Sequence, residues 1–192
     1  MPNAAPPPEW LVPAVVFAAY AWGSLSPGWW LVRQKAGVDL RSEGSGATGA
    51  TNVSRILGRK AYAWVLVLDT LKGWLAVLGA RWLAPASPWA ALAAPAVVAG
   101  HIWPVWLRFR GGRGAATLMG DCFALHWAIV PLAWVPGFIS VLFIHKWFIA
   151  RSIAFVCSLP IGWWLLGNFP SRMSLLIGWL LVLLAHRDHF GK

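Results

Sequence analysis

Two glycine-punctuated polar stretches, Gly44-Ser45-Gly46-Ala47-Thr48-Gly49-Ala50-Thr51-Asn52 and Gly111-Gly112-Arg113-Gly114-Ala115-Ala116-Thr117, interrupt a chain that is otherwise almost continuously apolar. Glycine lets backbone N–H groups turn toward a small anion, and arginines stand beside each stretch: Arg41 and Arg55 by the first, Arg108, Arg110 and Arg113 by the second. The chemistry such segments predict is phosphate binding. His101 lies in an apolar run three residues before Pro104, and His186 and His189 sit one helical turn apart near the end of the sequence. Alone, each histidine also fits a plainer role, His101 meeting a carbonyl freed by the proline and the other two forming a polar helix end. Asp69 and Lys72 fall inside an apolar run at i,i+3 spacing. Either buried alone would cost at least about 2.5 kcal/mol, so the spacing predicts a mutual pair.

The elements that must position these residues are membrane helices. Of the 192 residues 59% are hydrophobic and only 11% charged, with a mean hydropathy of +0.63, which excludes an ordinary soluble domain. Apolar runs predict seven segments, at residues 10–32, 61–83, 88–107, 115–125, 127–144, 148–166 and 172–185. The fourth is short for a full crossing and reads also as a half-helix, so six or seven crossings are expected, seven being the count that gathers the charge on one side. The expectation is an all-α polytopic protein, residues 1–192 forming one integral membrane domain. Many of the sixteen tryptophans, Trp29, Trp30, Trp82, Trp103 and Trp163 among them, fall near segment ends, where an amphipathic ring anchors at the interface.

Seven crossings place residues 33–60, 108–114, 145–151 and 186–192 on one side, and these carry thirteen of the sixteen Lys and Arg residues. The positive-inside rule then puts the amino terminus outside and the carboxyl terminus in the cytoplasm. The net charge of +10 is scattered through these connections with no basic stripe, which predicts anionic lipid and phosphate as partners and no nucleic acid. Cys122 and Cys157 are isolated, so neither a disulfide framework nor a metal site is expected. No motif calls for a cofactor. Residues 1–9 have no basic n-region and no small-residue cleavage site follows, so a removable signal is not expected. Asp121 reads as a solvated loop residue, and His126, His145 and Arg151 as interface residues.

Taken together, Asp39-Leu40-Arg41, Gly44-Ser45-Gly46, Gly49-Ala50-Thr51-Asn52, Arg55 and Gly58, with Asp69 and Lys72-Gly73 one span on, resemble the first motif of the bacterial acyl-phosphate:glycerol-3-phosphate acyltransferases. Gly100-His101, Pro104, Phe109 and Gly111-Gly112-Arg113-Gly114 with Ala116-Thr117 resemble the second, and His186-Arg187-Asp188 the start of the third. The resemblance implies seven membrane helices with the motifs facing the cytoplasm of the inner membrane. It also implies transfer of an acyl group from acyl phosphate to the 1-hydroxyl of glycerol 3-phosphate, giving lysophosphatidic acid. Two anions must then be held close together, a task for Arg forks and backbone donors, while a good leaving group makes positioning and oxyanion stabilisation sufficient. No covalent acyl-enzyme is expected.

By the resemblance, Ser45, His101 and His186 are the catalytic candidates. Gly44, Gly46, Asn52, Arg55, Gly111, Gly112, Arg113, Gly114, Ser152 and His189 are the candidates for substrate contact. The chain departs from the usual pattern at Ala47 and His189, where the family has Asn, at Arg113, where it has Lys, at Ile149, where it has Ser, and at Lys192, where it has Arg. Arg for Lys keeps the charge but replaces a compact ammonium by a wide planar fork. An imidazole matches an amide only in part, so a weakened relative that binds glycerophosphate or regulates an active copy is the second reading. A small transporter, suggested only by the intramembrane polar residues, is the third.

Overall fold

The computed structural model describes residues 8–187, and every regular element among them is helical. Helix α1 (Leu11–Gly23) and helix α2 (Pro27–Ala36) occupy the stretch expected as one helix. The break lies at Ser26-Pro27. A residue before proline is pushed out of the helical region, as Ser26 is at φ −114° and ψ 90°, and proline then opens the next helix at its first turn. Proline also has no N–H to give back to the carbonyl four residues earlier, which leaves the Gly23 carbonyl in need of another donor.

Helix α3 (Ala50–Leu83) is longer than the apolar run predicts, because its first turns are the polar end of the first glycine stretch. It kinks at Gly58, whose φ of 77° lies in the left-handed region. A 3-10 segment (Pro88–Leu92) leads into helix α4 (Ala93–Ile102), and a second (Val105–Leu107) precedes the glycine turn before helix α5 (Ala115–Leu125). Helices α6 (Ile129–Ile144), α7 (Trp147–Leu165) and α8 (Phe169–His186) follow. Asn168 caps α8 by accepting from the Ser171 N–H at 2.9 Å.

The helices pair as α1 with α4, α3 with α5 and α6 with α7, and α8 closes against α4. Small residues set these approaches. A Cβ on Gly100 would overlap the Tyr20 carbonyl, one on Gly23 the Val97 carbonyl, and one on Gly120 the Thr70 carbonyl. In an apolar solvent this close van der Waals packing replaces the hydrophobic effect as the force between helices. Among the described residues five helical segments are long and apolar enough to cross a membrane: Leu11–Ala36, Ala50–Leu83, Pro88–Leu107, Trp147–Leu165 and Phe169–His186, with α5 and α6 shorter.

Asp121 corrects its expectation. It is fully buried, not solvated, because Gly120 docks α5 onto Thr70 and turns the next residue toward α3, where its Oδ1 approaches Gly73. Cys122 and Cys157 are both free.

Candidate active site

The first glycine stretch is organised by a single side chain. Asn52, 2% exposed on the first turn of α3, donates from Nδ2 to the carbonyls of Leu40 (3.1 Å), Glu43 (2.8 Å) and Ala47 (3.0 Å). Its Oδ1 accepts from the Ser45 N–H at 3.0 Å and from Arg55 Nη1 at 3.3 Å. Gly44 and Gly46 take positive φ, 57° and 70°, so the chain wraps around this amide. Asn52 therefore shapes the loop that presents Ser45, and its own polar atoms are engaged by protein.

Upstream, Asp39 accepts from the Arg41 N–H, from Arg41 Nε and Nη2, and from Trp29 Nε1 at 3.0 Å. The Arg41 hydrogen bonds hold the Asp39 carboxyl well below the usual carboxylate range, and the same pair raises Arg41. Arg41 Nη1 reaches on to the Leu107 carbonyl at 2.7 Å, and the Thr48 N–H donates to the Gly111 carbonyl at 3.2 Å. These two bonds tie the first stretch to the second across 66 and 63 residues of sequence.

The second stretch is built from backbone. The Gly111 and Gly112 N–H groups donate to the carbonyls of Ile102 (3.1 Å) and His101 (2.9 Å), capping the end of α4. Those two N–H groups are therefore not aimed at an anion, contrary to the simplest reading of the glycines. The glycines are there for close approach: a Cβ on Gly111 would overlap the His101 carbonyl, and one on Gly112 would overlap His101 Nε2. Gly114, at φ 81°, opens α5.

Behind this turn lies a buried polar cluster. Lys72 Nζ stands 3.1 Å from Asp69 Oδ1, the expected pair, and also donates to the carbonyls of Gly23 (3.1 Å) and Leu25 (2.9 Å) exposed by the break before Pro27. It meets His101 Nδ1 at 2.8 Å. His101 thus faces Lys72 and the glycine turn, and no proline-freed carbonyl takes its ring. On α8, His186 Nδ1 lies 2.7 Å from the Val182 carbonyl, and a carbonyl only accepts, so Nδ1 carries the hydrogen of that bond.

One cavity of 310 Å³ gathers the two stretches and the end of α8: Ser45, Gly46, Ala47, Ile102, Trp103, Phe109, Arg110, Gly111, Gly112, Arg113, Leu184, Ala185 and Arg187 line it. Three arginines face one small space. Gly44 and Arg55 lie just outside the lining, joined to it through Asn52. Ser152 is exposed on α7, bonded to the Phe148 carbonyl at 3.0 Å and apart from the cavity. His189 lies outside the described residues, as does Lys192. Arg110, read from the sequence as an arginine beside the second stretch but not named as a site residue, and Arg187, quoted only as part of the third motif, both line the cavity. A larger groove of 570 Å³ between α7 and α8, at Trp163, Trp164 and Arg172, is at the other end of α8.

Residues 13–192 match the glycerol-3-phosphate acyltransferase family profile. The chain belongs to that family. It is 35% identical over 183 residues to the glycerol-3-phosphate acyltransferase of Prochlorococcus marinus (strain NATL1A), covering 93% of this chain and 92% of that one. It is 36% identical over 182 residues to the enzyme of Enterobacter sp. (strain 638), with 95% and 89% covered. Among solved structures it is similar to PlsY (YgiH), an integral membrane glycerol 3-phosphate acyltransferase, in its glycerol 3-phosphate form (TM-score 0.83, 30% identity, 93% and 90% covered). The lysophosphatidic acid form of PlsY matches with a TM-score of 0.80 at 27% identity, with 93% and 89% covered. Of the five departures from the usual acyltransferase pattern, Ala47 and Arg113 line the cavity, Ile149 is half-buried on α7, and the other two lie outside the described residues.

Proposed function

We propose that this protein, as a single membrane-embedded domain, transfers an acyl group from acyl phosphate to the 1-hydroxyl of glycerol 3-phosphate and releases lysophosphatidic acid and inorganic phosphate. The observation that carries the reading is the meeting of Ser45, Arg110, Arg113 and Arg187 on one cavity. Two anionic groups brought together repel, and planar guanidinium forks neutralise them while fixing their orientation. The hydroxyl oxygen of the acceptor forms a bond to the acyl carbon as the bond from that carbon to the phosphate oxygen breaks. The hydroxyl proton passes to His186 or to a substrate phosphate oxygen, and Ser45 and Arg113 position the phosphates. Arg55 acts from the edge of the cavity through Asn52, and His189 and Ser152 are further proposed substrate contacts.

Parity supports the orientation. Ser45 precedes α3, Arg113 follows α4, and Arg187 follows α8, yet all three share a cavity, so an even number of crossings separates each from the next. Helix α5, about 16 Å long at 1.5 Å per residue, and α6 therefore cross together or not at all. With the first segment added, the total is odd, seven or five, and the termini lie on opposite faces. The concentration of Lys and Arg favours the cavity and carboxyl terminus on the cytoplasmic face of the inner membrane under either count, and seven crossings is the count we propose.

Purified protein in detergent, given acyl phosphate and glycerol 3-phosphate, is expected to form lysophosphatidic acid, and acyl-CoA is expected not to replace the donor. Ser45→Ala and Arg113→Ala each lower kcat/KM by about 10²-fold, the loss of a charge-assisted hydrogen bond to phosphate. Glycerol 3-phosphate binding with no product from the wild type would sink the proposal.

A further inference from the structure

We propose that Lys72 holds His101 in the tautomer with hydrogen on Nε2, so that His101 donates a hydrogen bond to the reacting groups at the Gly111–Gly112 turn and is not the base of the reaction. What the donor touches rests on the acyltransferase reading; the tautomer rests on geometry alone. An ammonium has three hydrogens, and Lys72 Nζ has three acceptors in hydrogen-bonding position: the Gly23 carbonyl at 3.1 Å, the Leu25 carbonyl at 2.9 Å and His101 Nδ1 at 2.8 Å. Asp69 Oδ1, 3.1 Å from Nζ, is a fourth neighbour and balances its charge. The contact with Nδ1 is the shortest of the four, so one hydrogen is directed there.

A neutral imidazole that accepts at Nδ1 carries its hydrogen at Nε2. That nitrogen lies against the α-carbon of Gly112, where any side chain would overlap it, and Gly112 lines the cavity. No protein group among the described residues bonds to Nε2. The N–H is placed to meet negative charge developing on the acyl carbonyl oxygen, and the ring has no lone pair left to take the hydroxyl proton. Asp69 Oδ1, 3.4 Å from Nδ1, competes for the opposite tautomer by offering an acceptor there. Lys72 stands closer to Nδ1 than Asp69 does. The break at Ser26-Pro27 is part of the device, because it supplies the carbonyls that anchor the ammonium.

The test is ¹⁵N NMR of histidine-labelled full-length protein in detergent, with His101→Gln identifying the His101 signals among the five histidines. The expected result is an unprotonated Nδ1 and a protonated Nε2; an Nδ1–H ring or a doubly protonated ring overturns the proposal. In Lys72→Met the ring is expected to turn to Nδ1–H, bonded to Asp69, with kcat down about 10²-fold and the KM for glycerol 3-phosphate within about twofold. An unchanged tautomer in a folded Lys72→Met protein also overturns it, and where that variant does not fold the wild-type spectrum decides alone. An Nε2–H ring in a protein that makes no lysophosphatidic acid upholds the tautomer and removes the acyltransferase reading, whereas an Nδ1–H ring in an active enzyme does the reverse.

Discussion

The two glycine stretches look alike in sequence and are held by different means. Around Gly44 and Gly46 the backbone adopts positive φ and is gathered by the Asn52 amide, whereas Gly111 and Gly112 keep ordinary dihedrals and lie flat against the end of α4. In the first, glycine answers a conformational need; in the second, a need for space. The same residue type therefore fails differently when replaced, and neither stretch presents its central N–H groups as a simple anion nest.

The sharpest way to break this comparison is Gly112→Ala. The new methyl would fall on the His101 ring, which Lys72 holds from the other side, so it should lower the stability by about 3 kcal/mol and remove most of the turnover, read by thermal unfolding in detergent and by product formation. Stability and activity unchanged in Gly112→Ala would show that the turn does not depend on close contact with His101.

Asn52→Ala comes next. It strands three loop carbonyls and the Ser45 N–H at once, and a stability loss of about 2 kcal/mol is expected, with the KM for glycerol 3-phosphate raised as Ser45 loses its place. A loss confined to kcat would instead point to Asn52 touching the reacting groups.

Gly46→Ala is smaller. A Cβ there meets only the Arg41 carbonyl, at 3.4 Å, so the penalty is the left-handed conformation itself, about 1 kcal/mol. A Gly46→Asn variant, which tolerates that region better, is expected to recover part of the loss in the same thermal measurement. Equal damage from Gly46→Ala and Gly112→Ala would erase the distinction between the stretches.

The mildest effect is that of acid on the tie between them. Asp39 has a lowered pKa in the folded protein, so its contribution is complete above its ordinary value of 3.8 and is lost as the pH falls below that toward the lowered value. Because this ion pair is a quarter to a third exposed, its worth is about 0.5 kcal/mol after solvent screening. Asp39→Asn should therefore remove that much at neutral pH and flatten the acid limb of the unfolding curve. An unaltered acid limb would assign the dependence to another carboxylate.

Much of the fold was open to reading because membrane helices are written locally. A run of apolar residues bounded by glycine, proline or charge is enough, and α5 begins and ends where the sequence alone puts it. The i,i+3 pairing of Asp69 with Lys72 was legible for the same reason, since both sit on one helix. Less local facts were hidden. The burial of Asp121 depended on where Gly120 meets α3, and Ser152, assigned by likeness, lies on α7 outside the cavity lining; the break at Ser26-Pro27, by contrast, was signalled by Ser24-Leu25-Ser26-Pro27-Gly28 inside the run.

By itself, then, the sequence determined that the chain is helical and membrane-embedded, which motifs it bears and to which family they belong, because composition and short-range spacing carry that information. Only the tertiary structure decided that a lysine of one helix, carbonyls freed in a second and a histidine of a third form a single hydrogen-bonded group behind the Gly111–Gly112 turn. The reason is physical: buried polar groups in an apolar medium must find partners wherever the packing supplies them, and the packing joins residues that the sequence keeps 29 and 49 positions apart.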